Sequence, residues 1–132
     1  MPVARCLSPF RNSSVWLSAF VCWALILWIL SERPAPEIDN LDLPGFDKVL
    51  HFAYFLVGAF LFSIALHLRQ SSSWRRNFLV VVITLATIGA LDEWHQSWIP
   101  SRSGNDLGDW GADLLGALTG ALICKALWRP AC

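Results

Sequence analysis

Acids and histidines at helical spacing are the residues of this chain that could do chemistry. Asp47, His51 and Tyr54 stand at i, i+4 and i+7, on one face of a helix that carries them. Glu93 and Gln96 stand at i and i+3. Asp106, Asp109 and Asp113 stand at i, i+3 and i+7, and Gly116 and Gly120 continue the same face. Carboxylates beside an imidazole can transfer protons, coordinate a divalent cation, or accept hydrogen bonds from the hydroxyl and amine groups of a ligand. Lys48 and Arg102 are the nearby cations that could take an anionic group. No HExxH helix and no GxSxG elbow is present, and none of the four cysteines forms a CxxC pair. No metal, cofactor or nucleic-acid partner is therefore expected from motifs.

The elements that hold these residues must be membrane helices. The chain has 132 residues, of which 55% are hydrophobic and only 15% charged. A soluble domain of that size cannot hide so much apolar surface. The apolar runs fall at about residues 15–30, 49–68, 78–97 and 109–128, after an N-terminal tail of residues 1–14. They are long and do not alternate, which excludes strands. A bilayer core of about 30 Å needs about 20 helical residues, so the last three runs fit and the first is slightly short. Pro34, Pro36, Pro44 and Gly45 break the first connector; Pro100 and Gly104 break the third. The fold expected is all-α, a four-transmembrane-helix bundle. Eight tryptophans suit interfacial belts, although Trp23 lies mid-span and must pack or face lipid.

The first run has a rival reading as a signal peptide, since Arg5 and Arg11 precede it. No convincing small-x-small cleavage site follows Leu30, so an uncleaved anchor is favoured. Charge then sets orientation. The two tails and the second connector share one side and carry Arg5, Arg11, Arg69, Arg75, Arg76, Lys125 and Arg129, with no acid. The opposite side carries Arg33, Lys48 and Arg102 together with every Asp and Glu. By the positive-inside rule both termini are expected to be cytoplasmic. Cys22 and Cys124 lie in apolar runs, and Cys6 and Cys132 in the tails, where disulfides are rare.

Depth gives the acids their meaning. Counting up from the inner ends, Asp92, Glu93 and Asp113 lie about 22 Å into the bilayer and His51 about 25 Å. A charge at such depth costs about 2.5–3.5 kcal/mol on insertion scales. Facing lipid is excluded, so these groups must face one another or a wet cavity. Interhelical hydrogen bonds contribute only about 0.6–2 kcal/mol each, which favours function over a purely structural network. Bland roles remain for the shallower acids. Asp47 can cap helix two, and Asp106 and Asp109 can be the cap and first-turn acid of helix four. Arg102 either pairs with a carboxylate of the cluster or binds an anionic headgroup. Gly116-x-x-x-Gly120 is a small-residue stripe that lets a neighbouring helix approach; Gly58 and Ser63 are candidates for the same on helix two.

Two stretches, DKVLHFAYFLVGAFL from Asp47 to Leu61 and DEWHQSWIPSRSGNDLGDWGADLLGALTGALI from Asp92 to Ile123, resemble the VanZ-like family. The family pattern is Asp-Lys-x-x-His-Phe, Glu-x-x-Gln, a Pro-x-Arg loop, and a spaced Asp followed by Asp or Asn and two glycines. The matching positions are Asp47, Lys48, His51, Glu93, Gln96, Pro100, Arg102, Asp106, Asp113, Gly116 and Gly120. One departure is Ser101, where the family often has Gly, which constrains that turn differently. The resemblance implies a bacterial multi-pass protein of the cytoplasmic membrane. It also implies a phenotype, low-level resistance to teicoplanin, a lipid-bearing glycopeptide.

The function expected is binding of a polar ligand at the outer leaflet: a lipid headgroup, a cell-wall precursor or a lipoglycopeptide. The site comprises Asp47, Lys48, His51, Glu93, Gln96, Arg102, Asp106, Asp109 and Asp113, with Gly116 and Gly120 packing the helices. Membrane lipids are the other expected partners; the sequence does not give an oligomeric state. The alternative is an intramembrane enzyme acting on an envelope lipid or glycan. There His51, Glu93, Asp109, Asp113 and His95 would bind a metal or act as acids and bases. His95 is two residues from Glu93 and so points to a different face. A proton-coupled transporter is disfavoured, because the inner halves of the helices are almost purely apolar.

Overall fold

A computed structural model of the chain describes residues 12–33, 45–69, 73–100, 102 and 104–127. The N-terminal tail as far as residue 11, residues 34–44 of the first connector, Gln70, Ser71, Ser72, Ser101, Ser103, Trp128 and the C-terminal tail lie outside the described residues. Four helices account for nearly all the rest: α1 Ser13–Ser31, α2 Phe46–Arg69, α3 Trp74–Gln96 and α4 Leu107–Leu127. At 19, 24, 23 and 21 residues, all four are long and apolar enough to cross a membrane. No strand occurs among the described residues. Each expected run overlaps one of these helices, which begin two to four residues earlier; residue 97 lies just past the end of α3 and residue 128 lies outside the described residues.

Local chemistry sets the helix starts. Asn12 caps α1 by accepting from the Ser14 amide at 3.0 Å. Ser73 caps α3, its hydroxyl facing the Arg76 amide at 3.4 Å. Asp106 caps α4, accepting from the Gly108 amide at 2.6 Å while its carbonyl receives the Trp110 amide. Asp47 is not a cap: it lies inside the first turn of α2, behind Gly45. Gly45 has a φ of +82°, a left-handed conformation that glycine adopts without steric cost.

The centre of the bundle is the pair α2 and α4, which run parallel. Gly116 lies against the Phe52 carbonyl and Gly120 against the Leu56 carbonyl, so a Cβ at either position would collide with the backbone of α2. Ala59, Ala117 and Ala121 are fully buried in the same seam. The small-residue stripe read from the sequence is thus the central contact.

An aromatic knot joins α1 to α2. Trp23 is only 5% exposed; its indole N–H donates to the Tyr54 carbonyl at 3.0 Å, and the Tyr54 hydroxyl donates to the Trp23 carbonyl at 2.8 Å. The indole lies over Gly58, whose missing side chain makes the space. Trp23 therefore packs rather than facing lipid. Helix α3 closes the bundle with Val81 and Leu85 buried, and Trp110 of α4 donates to the Ala86 carbonyl at 3.0 Å. Val21, Leu25, Ile26, Ile83, Leu115 and Leu122 stay exposed on the outside, where acyl chains would cover them. The C-terminal ends of α1 and α3 and the N-terminal ends of α2 and α4 share one end of the bundle, and the acids of the described residues gather there.

Candidate functional site

The site is built on two levels. At the rim, Lys48 of α2 places its ammonium among three carboxylates: 2.9 Å from Asp109, 3.2 Å from Asp106 and 3.5 Å from Asp47. Asp106 precedes the first turn of α4, and its carboxyl is held below the ordinary carboxylate range. The Gly108 amide is the main cause and the Lys48 ammonium the next. Lys48 is the cation that closes the acid cluster.

One turn deeper, His51 Nδ1 lies 2.9 Å from Asp113 Oδ1. His51 keeps 15% of its side-chain exposure and Asp113 none. With Asp113 ionised, Nδ1 carries the proton and Nε2 keeps a free lone pair. Glu93 of α3 and Asp109 of α4 converge on His51: one ligand atom from each of the three lies within 4.8 Å of the other two. Glu93 is 4% exposed, and its Oε1 is buried without a hydrogen-bond partner; so is Asp113 Oδ2. Asp113 Oδ2 points at Gly89 of α3, where a Cβ would come within 2.7 Å of it. Helices α2, α3 and α4 therefore bring His51, Glu93, Asp109 and Asp113 together in one cluster.

Glu93 also organises the loop above the pocket. Its Oε2 accepts from the Asp106 amide at 2.9 Å, and its backbone carbonyl accepts from the Asn105 and Ser97 amides. Asn105 turns the chain with a φ of +64°, a conformation that asparagine tolerates better than most residues. This anchors the start of α4 to the end of α3 and sets Asp109 and Asp113 at the right height.

Two expected members stand apart. Arg102 donates from Nε to the Arg33 carbonyl at 2.9 Å and from Nη2 to the Leu30 carbonyl at 3.0 Å. It ties the third connector to the end of α1 and pairs with no carboxylate of the cluster. Gln96 donates to Asp92 Oδ2 at 2.9 Å rather than to Glu93. The other Asp92 oxygen accepts from the Ser31 hydroxyl. This buried Ser31–Asp92–Gln96 network joins α1 to α3 and was not anticipated as part of the arrangement. Its signal was available: Asp92 lies as deep as Glu93, and it stands four residues before Gln96. His95 stacks on Trp28 with ring centroids 4.0 Å apart and takes no place in the pocket.

Counted by charge, the pocket is rich in carboxylates and poor in free cations. Its one lysine is engaged three times, and the arginine faces carbonyls. Such a pocket favours hydroxyl groups, amines or a metal ion over phosphate.

No curated protein and no solved structure matches the chain. The VanZ/LLP1 family model matches residues 4–129, nearly the whole chain. The convergence of Lys48, His51, Glu93 and Asp113 is thus a feature of a four-helix membrane protein that belongs to the VanZ/LLP1 family.

Proposed function

We propose that this protein holds the hydroxyl- or amine-bearing part of an envelope ligand in the pocket formed by His51, Glu93, Asp109 and Asp113. The ligand class is a lipid headgroup, a cell-wall precursor or a lipoglycopeptide. The protein acts in the bacterial cytoplasmic membrane, with both termini inside and the pocket at the outer leaflet. The lysine and arginine distribution supports that orientation. The observation that carries the reading is the unpartnered Oε1 of Glu93, buried in a cluster to which three helices contribute ionisable side chains. A structural network would satisfy its members, because an unmet buried acceptor is costly. A ligand hydroxyl or amine supplies the missing donor. The sugar and amine groups are taken by the carboxylates, and the anionic part has no free cation in the pocket.

A second reading is favoured by one observation, the 2.9 Å pairing of His51 with Asp113. A histidine oriented by a buried carboxylate is suited to proton transfer, so the pocket could alter its ligand as well as hold it. A change in ligand mass after incubation with the protein distinguishes this from binding.

Teicoplanin susceptibility tests the first reading. Cells expressing the wild type should tolerate more teicoplanin than cells expressing Glu93→Gln or Asp113→Asn at equal membrane levels. Full tolerance with both variants would contradict it.

A further inference from the structure

We propose that His51, Glu93 and Asp109 bind one divalent transition-metal ion, with Asp113 orienting the histidine. The inference rests on the reading of this pocket as a ligand site and names one occupant of it. The three donors come from three helices, and one ligand atom of each lies within 4.8 Å of the others. Bonds of about 2.1 Å hold ligand atoms about 3.4 Å apart in a tetrahedron and about 4.2 Å apart across an octahedron. Small side-chain rotations therefore close the set around a cation.

The partners already made leave the right atoms free. Asp113 takes His51 Nδ1, which leaves Nε2 as the nitrogen available to a metal. A ligating imidazole that donates its other N–H to a carboxylate is the usual support for a metal-bound histidine. Asp109 gives Oδ1 to Lys48 and keeps Oδ2. Glu93 gives Oε2 to the Asp106 amide and keeps the buried, unpartnered Oε1.

Asp47, Asp106 and Asp109 form a second trio with metal-like spacing, but the Lys48 ammonium already sits among them. The chain supplies its own cation there. Lys48 touches the His51–Glu93–Asp109 trio only through Asp109 Oδ1, and among the described residues no lysine or arginine pairs with Glu93 or His51; the competing occupant is a proton on His51. One imidazole with two carboxylates suits zinc or manganese better than magnesium or calcium, which prefer all-oxygen sites.

The test is zinc titration of the purified full chain in detergent, with bound metal measured by mass spectrometry. The expected result is saturable binding of about one zinc per chain. His51→Asn and Glu93→Gln should each weaken it by about 100-fold or more, and Asp113→Asn by about 10–100-fold. His95→Asn, at the same end of the bundle but stacked on Trp28, should bind as the wild type does. A readout on the wild type alone guards against misfolded variants. Zinc should protect His51 from diethyl pyrocarbonate, read by peptide mass spectrometry, and leave His95 unchanged. No saturable binding, binding indifferent to His51→Asn and Glu93→Gln, or equal modification of His51 with and without zinc would each overturn the proposal. A chain that ignores zinc but binds a precursor or lipoglycopeptide loses the metal site and keeps the proposed function. A chain that binds zinc alone does the reverse.

Discussion

Asp113 of α4 meets His51 of α2 at 2.9 Å inside the bundle, with no solvent exposure of its own. The contact depends on the parallel α2–α4 seam directly below it, where Gly116 and Gly120 bring the two backbones together. A bulkier stripe would separate the helices and the two side chains with them. The packing motif and the chemical motif are therefore one device on one helix face.

Stability and function should part at Glu93 and Asp113. Both are buried carboxylates, and each leaves one oxygen unsatisfied. Replacing a poorly compensated buried charge by a neutral isostere is often neutral or stabilising. Glu93→Gln keeps an acceptor for the Asp106 amide, and Asp113→Asn keeps one for His51 Nδ1. Each variant should melt in detergent at the wild-type temperature or above it, with ligand binding weakened about tenfold or more. A large fall in melting temperature for both would assign them to structure.

Arg102 should prove a staple and not a ligand contact. Its planar fork bonds two carbonyls at the end of α1. Arg102→Ala should speed amide hydrogen exchange around Leu30–Arg33 and leave ligand affinity within about threefold of wild type. Arg102→Lys should not restore protection, because a lysine cannot present the same fork. Loss of affinity without faster exchange would return Arg102 to the pocket.

Asp106 makes the start of α4 sensitive to acid. Its folded-state carboxyl titrates below the ordinary range, so its contribution is fully present above the unfolded value of about 3.9. That contribution is lost as pH falls through the depressed folded-state value. Exchange of the Gly108 amide should therefore accelerate, relative to amides deep in α4, as pH drops to about 3. Asp106→Ser keeps a capping oxygen without a titrating group and should flatten that relative dependence. An unchanged acid response in Asp106→Ser would place the titrating group elsewhere.

Much of this was legible because a bilayer imposes few solutions. Long apolar runs have to be helices, and acids buried in them have to meet. Depth together with spacing pointed His51, Glu93 and Asp113 inward, Asp109 kept a rival reading as the first-turn acid of α4, and spacing marked Gly116 and Gly120 as the contact stripe. Partner choice was less legible. Lys48 reaches the α4 acids because Glu93 pins the Asn105–Asp106 turn, and that turn depends on a backbone conformation no periodicity shows. Arg102 turns to α1 because the last carbonyls of a helix need donors, a demand that competes with the carboxylates. Asp92 is adjacent to Glu93 but about 100° away around the helix, so it faces Ser31 of α1 instead of the pocket.

Native mass spectrometry of the full chain reads out whether the Glu93 cluster holds a ligand. The wild type and Glu93→Gln would be released from detergent after incubation with the same lipid-linked cell-wall precursor, and with teicoplanin in a parallel run. The wild type should retain at least one of these as a one-to-one complex that Glu93→Gln loses, with both proteins equally helical. Equal retention by the two proteins, or none by the wild type, would contradict the account.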